Sequence, residues 1–191
     1  MKKMTLATTL VLTLATGAVA ANSPIDKGAW VLGGEMSFQS LSGDLYECGG
    51  DATTVVSFTP NFGAFVSPGF MMGIEADLLS VTECGDTDTW ITIGPRISFY
   101  LRPQGSDFEA KGTVLPYVAA FFHVGSIDYS GLGDNITITE FGAAAGAVFM
   151  ASNSVGVNFG ARFSSDKRTY RGDSASGTTV KVGVGITSFI Y

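Results

Sequence analysis

Seven charged residues interrupt segments of the sequence that are otherwise apolar or small. Four are acids and three are bases: Glu35, Glu75, Asp77, Glu140, Arg96, Arg162 and Lys181. Buried charges are tolerated only when they are paired and hydrogen-bonded. If these side chains share one interior, two interpretations follow. They form a set of ion pairs that closes the interior, or they gate a path along which small ions cross.

A second chemistry to consider is acyl transfer or hydrolysis, which needs a nucleophile, a nearby base and an orienting group. His123 is the single histidine of the chain, Ser126 follows it, and Glu140 lies further along. Residues three apart on a strand point to opposite faces, so His123 and Ser126 would not meet without a bulge. We therefore expect no catalytic residues and no cofactor, and a histidine packed beside Tyr117 or Phe121.

The two cysteines lie in similar acidic contexts, at Cys48 and Cys84. An even number of cysteines in an oxidising compartment favours a disulfide. We predict a Cys48–Cys84 bond that joins two loops. Acids beside the cysteines could instead hold a cation, although they lack the spacing of a calcium loop, so we expect no metal site; these acids are Asp44, Glu47, Asp51, Glu83, Asp86 and Asp88.

Composition excludes several classes of protein. Only 15% of the 191 residues are charged, whereas Gly reaches 25 and Phe 14, which fits neither a disordered acidic chain nor a coiled coil. The net charge of −6 argues against a nucleic-acid partner, because such proteins neutralise phosphates with Lys and Arg.

The first twenty residues differ from the rest of the chain. Lys2 and Lys3 precede an apolar stretch, and Ala18-Val19-Ala20 has the small residues of a signal-peptidase site. The stretch, 5–19, is shorter than the roughly twenty residues that a spanning helix needs. We predict a secretory signal peptide at 1–20 and a single domain at 21–191.

The remaining chain alternates apolar side chains with polar or small ones, a period of two that is typical of strands. No later run is apolar and long enough for a spanning helix. The pattern predicts an all-β, eight-stranded, antiparallel, up-and-down transmembrane barrel with apolar residues outside and a filled polar interior. The eight segments are 29–38, 54–64, 72–80, 91–101, 114–125, 138–149, 155–163 and 180–187. A soluble barrel or sandwich would reverse the two faces, but its core could not be filled by Gly.

Connections and aromatic residues complete this prediction. Tight turns are expected at 66–69 and 151–154, a long connection at 102–113, and polar loops at 39–53, 82–89, 126–136 and 164–178. Aromatic residues near strand ends are expected to form two interfacial girdles, with core packing as the alternative. One girdle contains Trp30, Phe65, Phe70, Tyr100 and Tyr117, and the other Phe38, Trp90, Phe122 and Phe163. Phe189 and Tyr191 are out of phase with Val184 and Ile186, which requires a bulge near Thr187 or a different phase.

Several segments resemble one family. They are 59–66 running into 68–73, the strand 94–100, the strand start 115–118, and the aromatic C-terminus Phe189-Ile190-Tyr191. The chain resembles the small eight-stranded outer-membrane β-barrel proteins of Gram-negative bacteria, of the opacity and X types. The resemblance implies a monomer inserted by the outer-membrane assembly machinery, in contact with lipid and lipopolysaccharide.

The resemblance also bears on function. It implies a structural or surface-interaction role, in envelope integrity, adhesion or contact with a host or surface ligand through the outer loops, and not a wide pore. Two alternatives remain open: a lipid-modifying enzyme similar to lipid A deacylases, and a small ion-conducting channel.

Overall fold

The computed structural model describes residues 23–41, 47–48, 51–83, 86–101, 110–128, 135–170 and 173–191. Regular secondary structure in these ranges is β-strand, and none of their residues form a helix long and apolar enough to cross a membrane. The strands are β1 (Trp30–Leu41), β2 (Glu47–Cys48), β3 (Asp51–Ser67), β4 (Phe70–Glu83), β5 (Asp86–Tyr100), β6 (Val114–Asp128), β7 (Asn135–Met150), β8 (Val155–Tyr170) and β9 (Asp173–Ile190).

Eight of these strands close into an antiparallel up-and-down barrel. Each long strand pairs with the next long strand along the chain, and β9 pairs with β1 from Trp30↔Ile190 to Met36↔Val184. Among the described residues, the two-residue β2 pairs with the start of β3 alone. The predicted fold class is therefore confirmed. We call the end with the start of β1, the end of β9 and the 68–69 and 151–154 connections the turn end, and the opposite end the hairpin end.

The predicted inside and outside faces also agree with the structure. Exterior side chains such as Ile93, Val118 and Phe159 are about half exposed, whereas their neighbours Thr92, Tyr117 and Asn158 are buried. On every long strand the exterior residues are predominantly apolar near the turn end and become Ser, Thr or charged towards the hairpin end. On β8, for example, the exterior sequence Val157, Phe159, Ala161, Phe163 gives way to Ser165 and Lys167.

The strands run beyond the segments that the sequence predicted. Residues 164–170 and 173–178, expected to be loop, continue the β8–β9 hairpin to Tyr170↔Asp173. Likewise β4 and β5 pair as far as Glu83↔Asp86, inside the expected loop 82–89. The apolar alternation stops where the exterior residues become polar, but backbone pairing does not need apolar side chains, so the ladders continue.

The predicted aromatic girdles are partly wrong. Phe65, Tyr100 and Tyr117 are almost completely buried in the lumen, and Trp90 also lies on a lumen-facing position of β5. Strand phase, not nearness to a strand end, decides the direction of a side chain. The exterior aromatic residues at the hairpin end include Phe38, Phe122 and Phe163, which are exposed.

No bulge is needed at the C-terminus. β9 pairs with β1 without a register shift from Val184 to Ile190, so Phe189 faces the lumen in the same phase as Thr187. Neither the expected bulge nor a different phase is present, because the alternation continues: Val184 and Ile186 are exterior, and Phe189 occupies an interior position.

The turn between β3 and β4 shows why glycine is required there. Gly69 has a φ of 74°, in the left-handed region that favours glycine, and it follows Pro68. A Cβ at this position would lie 2.6 Å from the carbonyl oxygen of Tyr100. The Gly69 amide donates to the carbonyl of Ile25, so the turn also holds the segment that precedes β1 across the turn end.

Candidate functional site

The lumen of the barrel is filled in layers, beginning with a hydrophobic plug at the turn end. The plug consists of Ile25, Ala29, Val31, Phe65, Met71, Tyr100, Ala110, Leu115, Val148, Met150 and Phe189, each less than 5% exposed. Its aromatic rings are in contact, with the Phe65 and Tyr100 centroids 5.4 Å apart and the Tyr100 and Phe189 centroids 6.2 Å apart. These side chains close the turn end of the lumen.

Above the plug lies a carboxylate with neutral partners. Glu35 accepts a hydrogen bond from the hydroxyl of Tyr117 at 2.8 Å and another from the amide nitrogen of Asn158 at 2.5 Å. Gly160 makes room for this group, because a Cβ there would lie 2.7 Å from the Tyr117 hydroxyl. Glu35 is thus anchored on three strands without a Lys or Arg partner among the described residues.

The next layer is an ion-pair network centred on Glu75. Its carboxylate pairs with Arg96, and it accepts a hydrogen bond from Arg162 Nη2 at 2.7 Å. His123 Nε2 lies 3.2 Å from Glu75 Oε1 but without hydrogen-bond alignment, whereas His123 Nδ1 lies 3.0 Å from Glu140 Oε2 in hydrogen-bonding geometry. His123 therefore connects two carboxylates that come from different strands.

Aromatic rings complete the surroundings of this network. The guanidinium carbon of Arg162 lies 3.9 Å from the centroid of the Phe121 ring, and Phe121 stacks on His123 with centroids 4.9 Å apart. Arg96 also donates from Nε to Ser98 at 3.0 Å. Arg162 Nε and Nη1 are buried without a hydrogen-bond partner, so the ring face supplies part of the compensation for its charge.

A separate ion pair lies closer to the hairpin end. Lys181 Nζ donates to Asp77 Oδ2 at 2.6 Å, and Thr59 donates to Asp77 Oδ1 at 3.1 Å. The hydroxyls of Ser37 and Ser57 are hydrogen-bonded across β1 and β3 at 2.7 Å. Together the layers leave the lumen filled from the plug up to this pair.

All seven charged residues singled out in the sequence face the lumen, but the structure does not join them in one network. Glu75 pairs directly with Arg96 and Arg162, and His123 connects Glu75 to Glu140. Asp77 pairs separately with Lys181, and Glu35 has only neutral partners. The sequence analysis assigned no role to Asn158 or Thr59, although both share the interior phase of their strands. That phase was the available signal for finding them.

Of the three residues considered for catalysis, His123 and Glu140 are hydrogen-bonded at 3.0 Å, but Ser126 is not brought to them. His123 is fully buried in the lumen, whereas Ser126 is exposed on the exterior face of the same strand. The 123–126 spacing therefore gives no nucleophile–base pair, as strand geometry predicts.

The predicted disulfide and the cation alternative lie outside the described residues. Cys84 is not among them, nor is the side chain of Cys48, and the same applies to the side chains of the acids considered as cation ligands. The predicted signal peptide, 1–20, also lies outside them, and most of the 102–113 connection does as well. These remain predictions. Within the described residues, no group of three or more acids, histidines or cysteines could hold a metal ion.

At the hairpin end the barrel wall has two seams. The β1–β9 pairing stops at Met36↔Val184, although Ser37 and Gly183 continue their strands. The β5–β6 pairing stops at Thr92↔Gly125. The other neighbouring strands stay paired further, so above these points the wall consists of two curved sheets, one from β1 to β5 and one from β6 to β9.

Comparison with known proteins reveals similarity in structure only. The chain is similar to Neisserial surface protein A (NspA), with a TM-score of 0.58 and 15% sequence identity, over 85% of this chain and 97% of that chain. It is also similar to the N-terminal β-barrel domain of Pseudomonas aeruginosa OprF, with a TM-score of 0.48 and 12% identity, over 84% and 97% of the two chains. Neither a protein-family model nor a curated protein matches the chain. At this identity the likeness to NspA supports the fold, a small eight-stranded barrel, and leaves function to the site.

Proposed function

We propose that the protein is an integral outer-membrane β-barrel of a Gram-negative bacterium, with a structural or surface-interaction role and no wide pore. The observation that carries this proposal is the exterior apolar band. Large apolar side chains on all eight long strands are about 40–70% exposed, including Leu32, Ile74, Ile93 and Phe159. A water-soluble monomer rarely exposes so much contiguous apolar surface, whereas a barrel in lipid requires it.

The width of the band supports the same conclusion. On β7 the exterior residues are apolar from Phe149 to Phe141, nine residues along the strand, before Thr139 and Thr137 follow. A membrane strand tilted by about 45° needs about 9–11 residues. The polar remainder of each hairpin would stand in water, and we assign the hairpin end to the outside of the cell and the turn end to the periplasm.

The filled lumen favours a closed barrel over a channel. The hydrophobic plug closes one end, and the pairs made by Glu75 and Asp77 fill the middle. An eight-stranded barrel has an interior that side chains can fill. Because the lumen is closed, the hairpins are the parts of the barrel that can contact other molecules. This fits the resemblance to opacity-type and X-type proteins. The proposed partners are lipopolysaccharide, the assembly machinery or a surface ligand.

One experiment tests location and fold together. The protein is expressed with its predicted signal peptide, and outer-membrane fractions are run on gels with and without boiling, because folded barrels of this kind resist detergent until heated. We expect the protein in that fraction, with a shift in mobility on boiling. Recovery as a folded, detergent-free soluble protein would overturn the membrane assignment.

A second measurement separates a closed barrel from a small channel. The purified protein is reconstituted in a planar bilayer, and single-channel current is recorded at neutral pH. We expect no steady ion conductance from the wild-type barrel. Reproducible unitary conductance at low voltage would favour the channel alternative and would show that the lumen network opens.

A further inference from the structure

A cavity of about 410 Å³ opens above the filled part of the lumen, at the hairpin end. Its walls differ in chemistry. One side is formed by Leu79, Val81 and Trp90 on β4 and β5, and the other by Asp166 and Thr179 on β8 and β9. The volume is within the range of about 300–1,000 Å³ that is usual for small-molecule sites, and an apolar wall facing a few polar groups is their common composition.

The charges around the cavity are not balanced. Lys181 is engaged by Asp77 at 2.6 Å. Glu140 and Asp166 also line the cavity, yet neither forms an ion pair with a Lys or Arg of the described residues; Glu140 is bonded to His123 and Asp166 to the Thr179 hydroxyl at 2.7 Å. Arg168 also lines the cavity but lies over Trp90. The lining therefore has three carboxylates against two permanent cations, and Glu140 and Asp166 face the same space without a direct ion pair to either cation.

A cationic side chain of the protein itself already lies over the aromatic ring of the cavity wall. The guanidinium carbon of Arg168 lies 5.0 Å from the centroid of the Trp90 ring. Arg168 is exposed, on the opposite side of the lumen from Trp90, so its side chain can leave the ring without disturbing the barrel. The Trp90 face is therefore a cation–π site that a ligand could take over.

An unpartnered polar atom marks the floor of the cavity. Thr92 is 3% exposed and lines the cavity, and its hydroxyl oxygen is buried without a hydrogen-bond partner. Buried hydroxyls in proteins are nearly always hydrogen-bonded, and one that is not calls for a partner. A ligand that donates a hydrogen bond would supply it once the Thr92 side chain turns its hydroxyl towards the cavity.

We propose that this cavity binds a small organic cation with one ammonium group and an apolar or aromatic body. The ammonium group lies between Glu140, Asp166 and Thr92, and the body packs against Trp90 and Leu79 in place of Arg168. This site goes beyond the proposed surface role and needs only the folded lumen, so it can fail while the membrane assignment stands.

The test uses the tryptophan of the site as the reporter. The chain contains two tryptophans, and the other, Trp30, stacks on Phe62 near the turn end. In a Trp30→Phe background, the detergent-folded barrel is titrated with phenethylammonium, phenethyl alcohol and phenylpropionate while Trp90 fluorescence is followed. We expect a saturable change with the ammonium compound and affinity at least about tenfold weaker for the neutral and anionic compounds. A Trp90→Phe barrel, which reports from Trp30, gives the micelle background.

Three variants decide whether the assigned groups are responsible. Asp166→Asn removes one carboxylate and should weaken ammonium binding by about tenfold. Arg168→Gln frees the Trp90 face and should strengthen binding by about threefold to tenfold, an effect that a merely structural arginine would not give. Lys167→Gln is the matched control, because Lys167 lies on the exterior face next to Arg168 and should leave binding unchanged.

Two results would overturn the proposal. Equal or tighter binding of the anionic or neutral compound would show that charge does not select the ligand. A Trp90 signal that is indifferent to both Asp166→Asn and Arg168→Gln would place the ligand elsewhere.

Discussion

At the scale of single residues, Glu75 makes the most ion-pair contacts among the described residues of the lumen. It is 1% exposed, and two guanidinium groups and one imidazole converge on it. Glu35 is also buried but is satisfied by a hydroxyl and an amide. Substituting each of the two carboxylates in turn therefore distinguishes the cost of losing an ion pair from the cost of losing neutral hydrogen bonds.

Replacing Glu75 with Gln should destabilise the barrel more than the same change at Glu35. Glu75→Gln leaves Arg96 and Arg162 as buried charges without a counter-ion, which typically costs about 3–5 kcal/mol. Glu35→Gln keeps an acceptor for Tyr117 and Asn158 and should cost about 1–2 kcal/mol. Urea unfolding of detergent-folded protein, followed by gel mobility, measures both. Equal losses would mean that the charge at Glu75 contributes nothing beyond its hydrogen bonds.

Phe189 allows a comparison of interior and exterior packing between adjacent residues. Phe189→Ala empties part of the hydrophobic plug and should lower the free energy of unfolding by about 3–5 kcal/mol. Ile190→Ala, at a position that is 60% exposed on the exterior, should cost no more than about 1.5 kcal/mol. Refolding in vitro is the appropriate assay, since it does not depend on recognition of the C-terminus by assembly machinery. The opposite order of losses would place Phe189 on the exterior.

The extent to which the sequence predicts the direction and the partners of a side chain differs between residues. The direction of the Glu75 and Arg96 side chains followed from alternation. A period of two allows a side chain to point to one of only two faces, and the apolar side chains of a strand must share one of them. The partners of the interior side chains could not be predicted. Glu35 and Asn158, for example, are 123 residues apart and meet only through the stagger of the closed barrel. Trp90 and Phe65 were misplaced because position along the strand was given more weight than phase.

At the scale of strands, the sequence marked where each strand crosses the apolar band but not where it ends. The exterior face of β9 changes from Val180 to Thr178, Ser176 and Ser174, yet its pairing with β8 continues to Asp173. Hydrogen bonding between backbones does not depend on the polarity of exterior side chains, so hydropathy could not locate the hairpin tips or the seams.

The seam between β1 and β9 should be visible in hydrogen exchange. Residues 173–183 of β9 lack pairing on the β1 side, whereas 184–188 are paired on both sides. Unpaired edge amides are open to water. We expect the first segment to exchange at least about tenfold faster than the second, with β7 from Thr137 to Phe149, paired on both sides, as the protected control. Uniform protection along β9 would show that the seam is closed.

At the scale of the whole molecule, the barrel is an inverted arrangement in which charge is inside and apolar surface is outside. This is the arrangement that the proposed membrane location requires, with lipid around the band. It also accounts for the glycine content, because interior glycines leave room for large side chains such as Tyr117 and Phe121 in a narrow lumen. In water, the same barrel would have to bury its exterior apolar side chains by associating with other molecules.

Lysine substitutions on one strand test this arrangement directly. Ala145 lies at the middle of the apolar band of β7 and is exposed, and Thr137 is exposed on the same face beyond the band. A lysine at the middle of a bilayer costs about 2–4 kcal/mol, whereas near the interface it costs about 0–1 kcal/mol. Ala145→Lys should therefore destabilise the barrel in lipid vesicles by that larger amount, and Thr137→Lys should be almost neutral, as measured by urea unfolding. If Ala145→Lys were as harmless as Thr137→Lys, the band would be facing water, and the assignment of the barrel to a membrane would be wrong.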